Sequence, residues 1–265
     1  MMNQTVNIGG SRIAVQKVGS GPPMVVLHGE CGHRGLLALV DRLRSRFEVH
    51  VPRLVGWAET ARDPTIQTMR DVSLVAQEYI EGLNTPVSLI GASLGGWVAA
   101  EISATAPSLL STLVLISPIG VKIGGREDRD FADLYLLGDK ERDALYYASG
   151  ARPTAASSDG ADLFLERAIA DDATARFCWQ PYMHDPTLKG RLRRIQAATL
   201  VLSGGKDKFV TNPDYYKAYS ALIPGACHEV IADCGHRPEE EDPQKVADRV
   251  TAFVANGRLE TRLTA

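Results

Sequence analysis

Short apolar runs punctuate the chain at Met24–Leu27, Glu48–Val51, Val87–Ile90, Leu113–Ile116, Thr199–Ser203 and Cys227–Ile231. Several show no alternation of apolar and polar positions, the pattern of strands covered on both faces in a parallel sheet. Val6–Val18 does alternate around Gly9-Gly10, which predicts an N-terminal hairpin with a tight turn. Between the runs the period changes. Val72, Val75, Ala76, Tyr79, Ile80 and Leu83 fall on one helical stripe. Val246, Val250, Phe253 and Val254 form another, opened by Asp242 as N-cap and Pro243 at the first helical position. Alternating strands and helices predict an α/β fold of right-handed βαβ units with helices on both faces of the sheet.

One stretch breaks this rhythm. From about Lys122 to Arg194 no buried strand is apparent, and the pieces FADLYLL, ERDALYYA, GADLFLERAI and ATARFCWQPYMHDPTL look helical. The expected organisation is therefore a core of residues 1–121 and 195–265 carrying a helical cap at 122–194, inserted after the sixth core strand. A chain of 265 residues, 45% of them hydrophobic, suffices for one such domain. The net charge of −3 comes from interspersed residues without a basic block, so nucleic acid is not an expected partner. The N-terminal residues have neither the basic nor the apolar region of a signal peptide, and no run approaches the roughly 18 apolar residues of a membrane span. The expected location is the cytoplasm. Cys31, Cys178, Cys227 and Cys234 lack a disulfide or metal spacing; Cys31, Cys234 and His236 are the one conceivable metal group, and reduced thiols are the expectation.

The strongest local signal is VSLIGASLGGW, Val87 to Trp97. A buried strand runs directly into Gly91-Ala-Ser93-Leu-Gly95 and then into an apolar helix. A turn this sharp strains the serine backbone and crowds its neighbours, so small residues are needed two positions before and after it. Ser93 is the candidate nucleophile. A hydroxyl needs a base, and the base an orienting acid. His236 lies in a loop after the last core strand and beside a glycine, and is the candidate base. Asp207 follows the strand Thr199–Ser203 and two glycines, and is preferred as the acid over Asp233, which shares the histidine's own loop. Leu27-His28-Gly29-Glu30 ends another strand, and the backbone N–H groups of Glu30 and Leu94 are the expected oxyanion donors. His28 is expected to brace that loop.

Together LHGE, GASLGG, GGKD and CGH resemble the α/β-hydrolase superfamily in order and interval, over about residues 5 to 256. The resemblance implies an eight-stranded, mostly parallel sheet with a helical cap over the site. It also implies Ser93 as nucleophile, Asp207 as acid and His236 as base, with no metal or organic cofactor. The sequence departs from many relatives at Arg53–Thr60, where a D-x-P-G-x-G-x-S stretch is usual, so Trp57 and its neighbours are expected to alter the pocket. A serine at 93 disfavours the activities of aspartate-nucleophile relatives.

The leading expectation is hydrolysis of a small apolar or aromatic carboxylic ester or lactone through an acyl-serine. Hydrolytic C–C cleavage of a vinylogous diketone ranks second. Its anionic substrates require a basic pocket, which Arg126, Arg129, Arg191 and Arg194 would supply, whereas Arg237 replaces a frequent tryptophan and Glu30 would oppose an anion. A binding or lyase role on the same fold is the third reading. Trp97, Tyr135, Tyr146, Phe164, Trp179, Tyr182 and Met183 are the candidate pocket residues, each equally able to be packing.

Overall fold

The computed structural model describes residues 2–57, 64–153 and 160–263. Eight strands form one sheet in the order β1-β2-β4-β3-β5-β6-β7-β8. β1 (Met2–Ile8) and β2 (Ser11–Val18) form the expected hairpin around Gly9-Gly10. β2 pairs antiparallel with β4 (Glu48–Pro52), and every later pairing is parallel. The parallel part comprises β3 (Pro23–Leu27), β4, β5 (Val87–Ala92), β6 (Leu110–Ile116), β7 (Ala198–Gly204) and the exposed edge β8 (Cys227–Ile231).

The unbroken apolar runs have a simple cause. Val25, Leu27, Leu89, Leu113, Leu115 and Val201 point to one face, against α2 (Met69–Glu81) and α3 (Leu94–Thr105). Their neighbours Met24, Val26, Ile90, Val114, Ile116, Leu200 and Leu202 point to the other, against α1 (Leu37–Leu43) and α9 (Pro243–Leu263). Both faces are dry, so both sets must be apolar. Thr68 starts α2 with a reciprocal capping box to Asp71, and Asp242 caps α9 by accepting from the Lys245 N–H at 3.0 Å.

The β6–β7 connection contains α4 (Asp139–Tyr146), α5 (Gly160–Cys178) and α6 (Leu188–Arg191). Two helical pieces of the sequence pattern are not helical here. In FADLYLL, the Ala132 N–H bonds the Phe209 carbonyl, and the Tyr182 hydroxyl donates to the Ala132 carbonyl while accepting from the Leu134 N–H. The Leu134 carbonyl accepts from Arg142 Nε. With these backbone groups satisfied by tertiary partners, the segment has no need of a helical ladder. The second is the latter part of ATARFCWQPYMHDPTL: ATARFC lies in α5, but Pro181 and Pro186 forbid its continuation beyond Cys178. The remaining core helices are α7 (Tyr215–Ala221) and α8 (Pro238–Glu241). No helix among the described residues is long and apolar enough to cross a membrane.

Candidate active site

Three loops leave the carboxyl edge of the sheet and carry the candidate residues: Ser93 directly after β5, Asp207 three residues after β7, and His236 five residues after β8. Ser93 sits at φ 48°, ψ −113°, in the left-handed half of conformational space, a geometry costing about 1–3 kcal/mol. Its surroundings enforce it. The Ser93 N–H bonds the Ile116 carbonyl at 2.8 Å. A Cβ on Gly91 would lie 2.7 Å from the Gly96 nitrogen, and one on Gly95 2.6 Å from the His28 carbonyl oxygen. Only glycines let β5, α3 and the loop after β3 close this tightly.

His236 Nε2 lies 2.9 Å from Ser93 Oγ, and its Nδ1 lies 2.8 Å from Asp207 Oδ2. Asp207 Oδ1 in turn accepts from the backbone N–H groups of Phe209 and Val210 at 2.9 and 3.0 Å. With its far oxygen fixed, the carboxylate presents the near one to the ring. Burial by itself would lower the pKa of His236, but the charge of Asp207 and its hydrogen bond outweigh burial and hold it above the ordinary value. Asp233, the competing acid, is exposed and pairs with Lys206 at 3.2 Å.

Tyr216 on α7 is a member of this cluster that the sequence pattern does not single out. Its hydroxyl donates to Asp207 Oδ2 at 2.6 Å and lies 3.3 Å from His236 Nδ1. The available signal was the pair Tyr215-Tyr216 soon after Asp207, which reads equally well as core.

The loop after β3 passes over Ser93: a Cβ on Gly29 would stand 3.3 Å from the Ser93 Cβ. The Glu30 carbonyl accepts from Trp57 Nε1 at 3.0 Å and from Thr174 Oγ1 at 3.4 Å, which fixes that end of the loop. Trp57 is fully buried and stacks on Phe177 at 5.6 Å, so the departure at Arg53–Thr60 replaces a turn motif with an indole brace. Residues 58–60 of that run lie outside the described residues. The Leu94 N–H is the first of α3 and has no earlier helical carbonyl to bond. His28 braces the same loop. Its Nδ1 donates to the Gly29 carbonyl and its Nε2 accepts from the Leu54 N–H at 3.0 Å. Burial lowers its pKa to about 4, keeping it neutral.

The Glu30 side chain also turns into the site. Its Oε1 accepts from Arg237 Nη2 at 3.0 Å. Burial would raise its pKa, but Arg237, His236 and the nearby Ser93 hydroxyl outweigh that and hold it at about 2.

Of the candidate pocket residues, Tyr146 stands beside the cluster, 5.6 Å from the His236 ring between centroids. Trp97 is buried under Gly120 in the core. Met183 is buried, and its backbone pairs with Gly120 and Cys178. Tyr135 packs edge-on against Trp179 and Tyr182. Trp179 and Tyr182 line a cavity of ≈ 420 Å³ with Lys122, Arg126 and Arg129, which includes none of Ser93, Asp207 and His236. Phe164 lines a different cavity, which reaches Arg237. The placement of these aromatics was not legible because an aromatic position in a helical-looking segment does not say what the side chain faces; Trp179 and Phe164 are exposed. The basic residues expected to form an anion pocket are also elsewhere: Arg191 bonds Glu101 and Asp185, and Arg194 bonds the Ala104 carbonyl. Among the described residues no group of three His, Cys, Asp or Glu is placed to hold a metal ion.

The family model of the alpha/beta hydrolases matches residues 24–249. The chain is 25% identical to a 2-hydroxy-6-oxo-6-(2'-aminophenyl)hexa-2,4-dienoic acid hydrolase from Metapseudomonas resinovorans, over 98% of this chain and 93% of that protein. It is 26% identical to a pimeloyl-[acyl-carrier protein] methyl ester esterase from Xanthomonas oryzae pv. oryzae, over 91% of this chain and 98% of that one. The crystal structure of a membrane phospholipase A, a bacterial virulence factor, superposes with a TM-score of 0.80 at 21% identity, covering 97% of this chain and 86% of that one. The relatives span esterases, lipases and C–C hydrolases, and the chain belongs to the alpha/beta hydrolase family.

Proposed function

We propose that the protein hydrolyses a small carboxylic ester or lactone through an acyl-enzyme on Ser93. One observation carries this reading: His236 Nε2 at 2.9 Å from Ser93 Oγ, with Nδ1 at 2.8 Å from Asp207. His236 takes the Ser93 proton as Oγ attacks the ester carbonyl. The oxyanion is received by the N–H groups of Glu30 and Leu94, each worth about 3 kcal/mol in such a site. His236 then protonates the departing alkoxide. In the second half it deprotonates water, which cleaves the acyl-serine and releases the acid. The described residues of the 122–194 insertion serve as the lid of this site, with Tyr146 in contact with the histidine ring; residues 154–159 of it lie outside the described residues.

C–C cleavage is the second reading, favoured by the Metapseudomonas relative. The ester reading ranks first because Arg237 follows the candidate base at the position where the C–C hydrolases that the sequence resembles frequently carry tryptophan. The test is a series of 4-nitrophenyl esters of graded acyl length, with wild type and Ser93→Ala. Turnover that falls at least about 1,000-fold on removal of the hydroxyl is the expected result. A Ser93→Ala protein as active as wild type on its best ester refutes the proposal.

A further inference from the structure

Beside Ser93 lies an ion pair that ester cleavage itself does not use. Arg237 and Glu30 are 3% and 4% exposed, and Arg237 Nη2 donates to Glu30 Oε1 at 3.0 Å. Arg237 Nη1 donates to Glu240, and the guanidinium stands over the Tyr146 ring, 4.9 Å from its centroid. The pairing is incomplete at both ends: Arg237 Nε and Glu30 Oε2, both buried, have no hydrogen-bond partner. The Ser93 and Tyr146 hydroxyls are near the carboxylate without closing a bond of normal geometry.

The guanidinium edge formed by Nε and Nη2 is the fork that a carboxylate fills with two parallel bonds. Glu30 fills half of it. A buried ion pair is a costly way to pack space, since apolar residues of the same volume stabilise as well or better. A half-matched one is worse still. Its position explains it better than packing does: a Cβ on Gly29 would be 3.3 Å from the Ser93 Cβ and 3.5 Å from Arg237 Nη2, so the fork is one side chain's width from the hydroxyl. Outward, Arg237 faces a cavity of ≈ 380 Å³ whose wall also carries Arg34, Arg152 and Arg167. Arg34 pairs with Glu166 and Arg167 with Asp139, while Arg152 Nε donates to the Tyr147 hydroxyl at 3.0 Å.

We infer that Arg237 docks a carboxylate belonging to the substrate, and that Glu30 holds its place until the substrate arrives. The preferred substrates are then esters or lactones that carry a second, anionic carboxylate a few bonds from the scissile carbonyl. The substrate takes the whole Nε–Nη2 edge and Glu30 gives up Nη2. This inference rests on the ester reading of Ser93 and narrows its substrate class.

The test is calorimetric binding to Ser93→Ala, which needs no turnover. Three probes of one length are compared: monomethyl adipate, methyl hexanoate and methyl 6-aminohexanoate. Monomethyl adipate is expected to bind at least about tenfold tighter than methyl hexanoate, with the amino ester weakest. Adding Arg237→Met should erase the preference. Glu30→Gln, which removes the competitor and keeps the guanidinium, should tighten monomethyl adipate about threefold or more, and this arm decides alone where Arg237→Met fails to fold. Equal binding of the three, tightest binding of the amino ester, a preference that survives loss of Arg237, or unchanged or weakened binding on Glu30→Gln overturns the inference. Fluorophosphonate labelling of wild type, run alongside, separates the two readings. No label with the anionic preference intact removes the reaction and keeps the anion site; label without preference does the reverse.

Discussion

Replacing Gly95 by Ala adds a single carbon, yet it presses on the loop that carries the proposed oxyanion donor. The new Cβ would start 2.6 Å from the His28 carbonyl oxygen and 2.6 Å from the Leu27 carbonyl carbon. The Leu27 carbonyl oxygen would be closer still, and contacts under 3.0 Å are essentially never seen, so the strand end must retreat by well over 0.4 Å. In a close-packed site such overpacking costs about 1–3 kcal/mol. Against this, Ala in place of Gly within a helix returns about 1 kcal/mol. The net expectation is a loss of up to about 2 kcal/mol, read as a lower urea midpoint with an unchanged slope. The catalytic loss is larger in proportion. A displacement of about 1 Å costs about 100-fold in a positioned reaction, so about ten- to 100-fold is expected in the rate of ester turnover. Gly190→Ala is the control, because a Cβ there meets nothing within 4 Å; it should gain about 0.5–1 kcal/mol and leave the rate alone. A Gly95→Ala enzyme with wild-type midpoint and rate would refute the argument that this glycine lets the β3 loop approach the serine.

Three further outcomes are expected. His236 must be neutral to accept the Ser93 proton, and its pKa is held above the ordinary value chiefly by Asp207 against the opposing effect of burial; kcat/KM therefore rises through an acid limb above about pH 6.5, and a limb below about pH 6 contradicts this. Glu30 is held at about 2 from an ordinary 4.5, so its contribution of about 3 kcal/mol to stability is present above about pH 4.5 and is lost as pH falls toward 2; denaturant midpoints that fall as steeply for Glu30→Gln as for wild type in that window would refute it. Trp57→Phe retains the stacking on Phe177 but deletes the 3.0 Å bond to the Glu30 carbonyl, and is expected to lower the acylation rate about tenfold for about 1 kcal/mol of stability; an unchanged rate in stopped-flow acylation would show that the loop does not depend on the indole.

The core was legible because its physical cause is local. A strand between two dry faces is mostly apolar without alternation, as Val87–Ala92 and Ala198–Gly204 are apart from Ser88, Thr199 and Ser203, and a sharp strand-to-helix turn must be lined with small residues, as Gly91 and Gly95 line Ser93. Ser93, Asp207 and His236 stood out as candidates because each follows the end of a parallel strand. What escaped the sequence is set by contacts distant in the chain. Arg237 meets Glu30 across 207 residues, and nothing near either marks the other as its partner. FADLYLL carries buried Phe131 and Leu134 at helical spacing, yet its backbone is satisfied by Tyr182, Phe209 and Arg142. Trp179 and Tyr146 have the same aromatic character, and only packing decides that one faces solvent and the other His236.

The most direct measurement is intact-mass and peptide mapping after reaction with a fluorophosphonate. The geometry predicts one equivalent of adduct, located on Ser93, with labelling slowed by at least about 100-fold in His236→Ala. An adduct on another residue, or a His236→Ala protein that labels at the wild-type rate, contradicts the claim that the imidazole activates this hydroxyl.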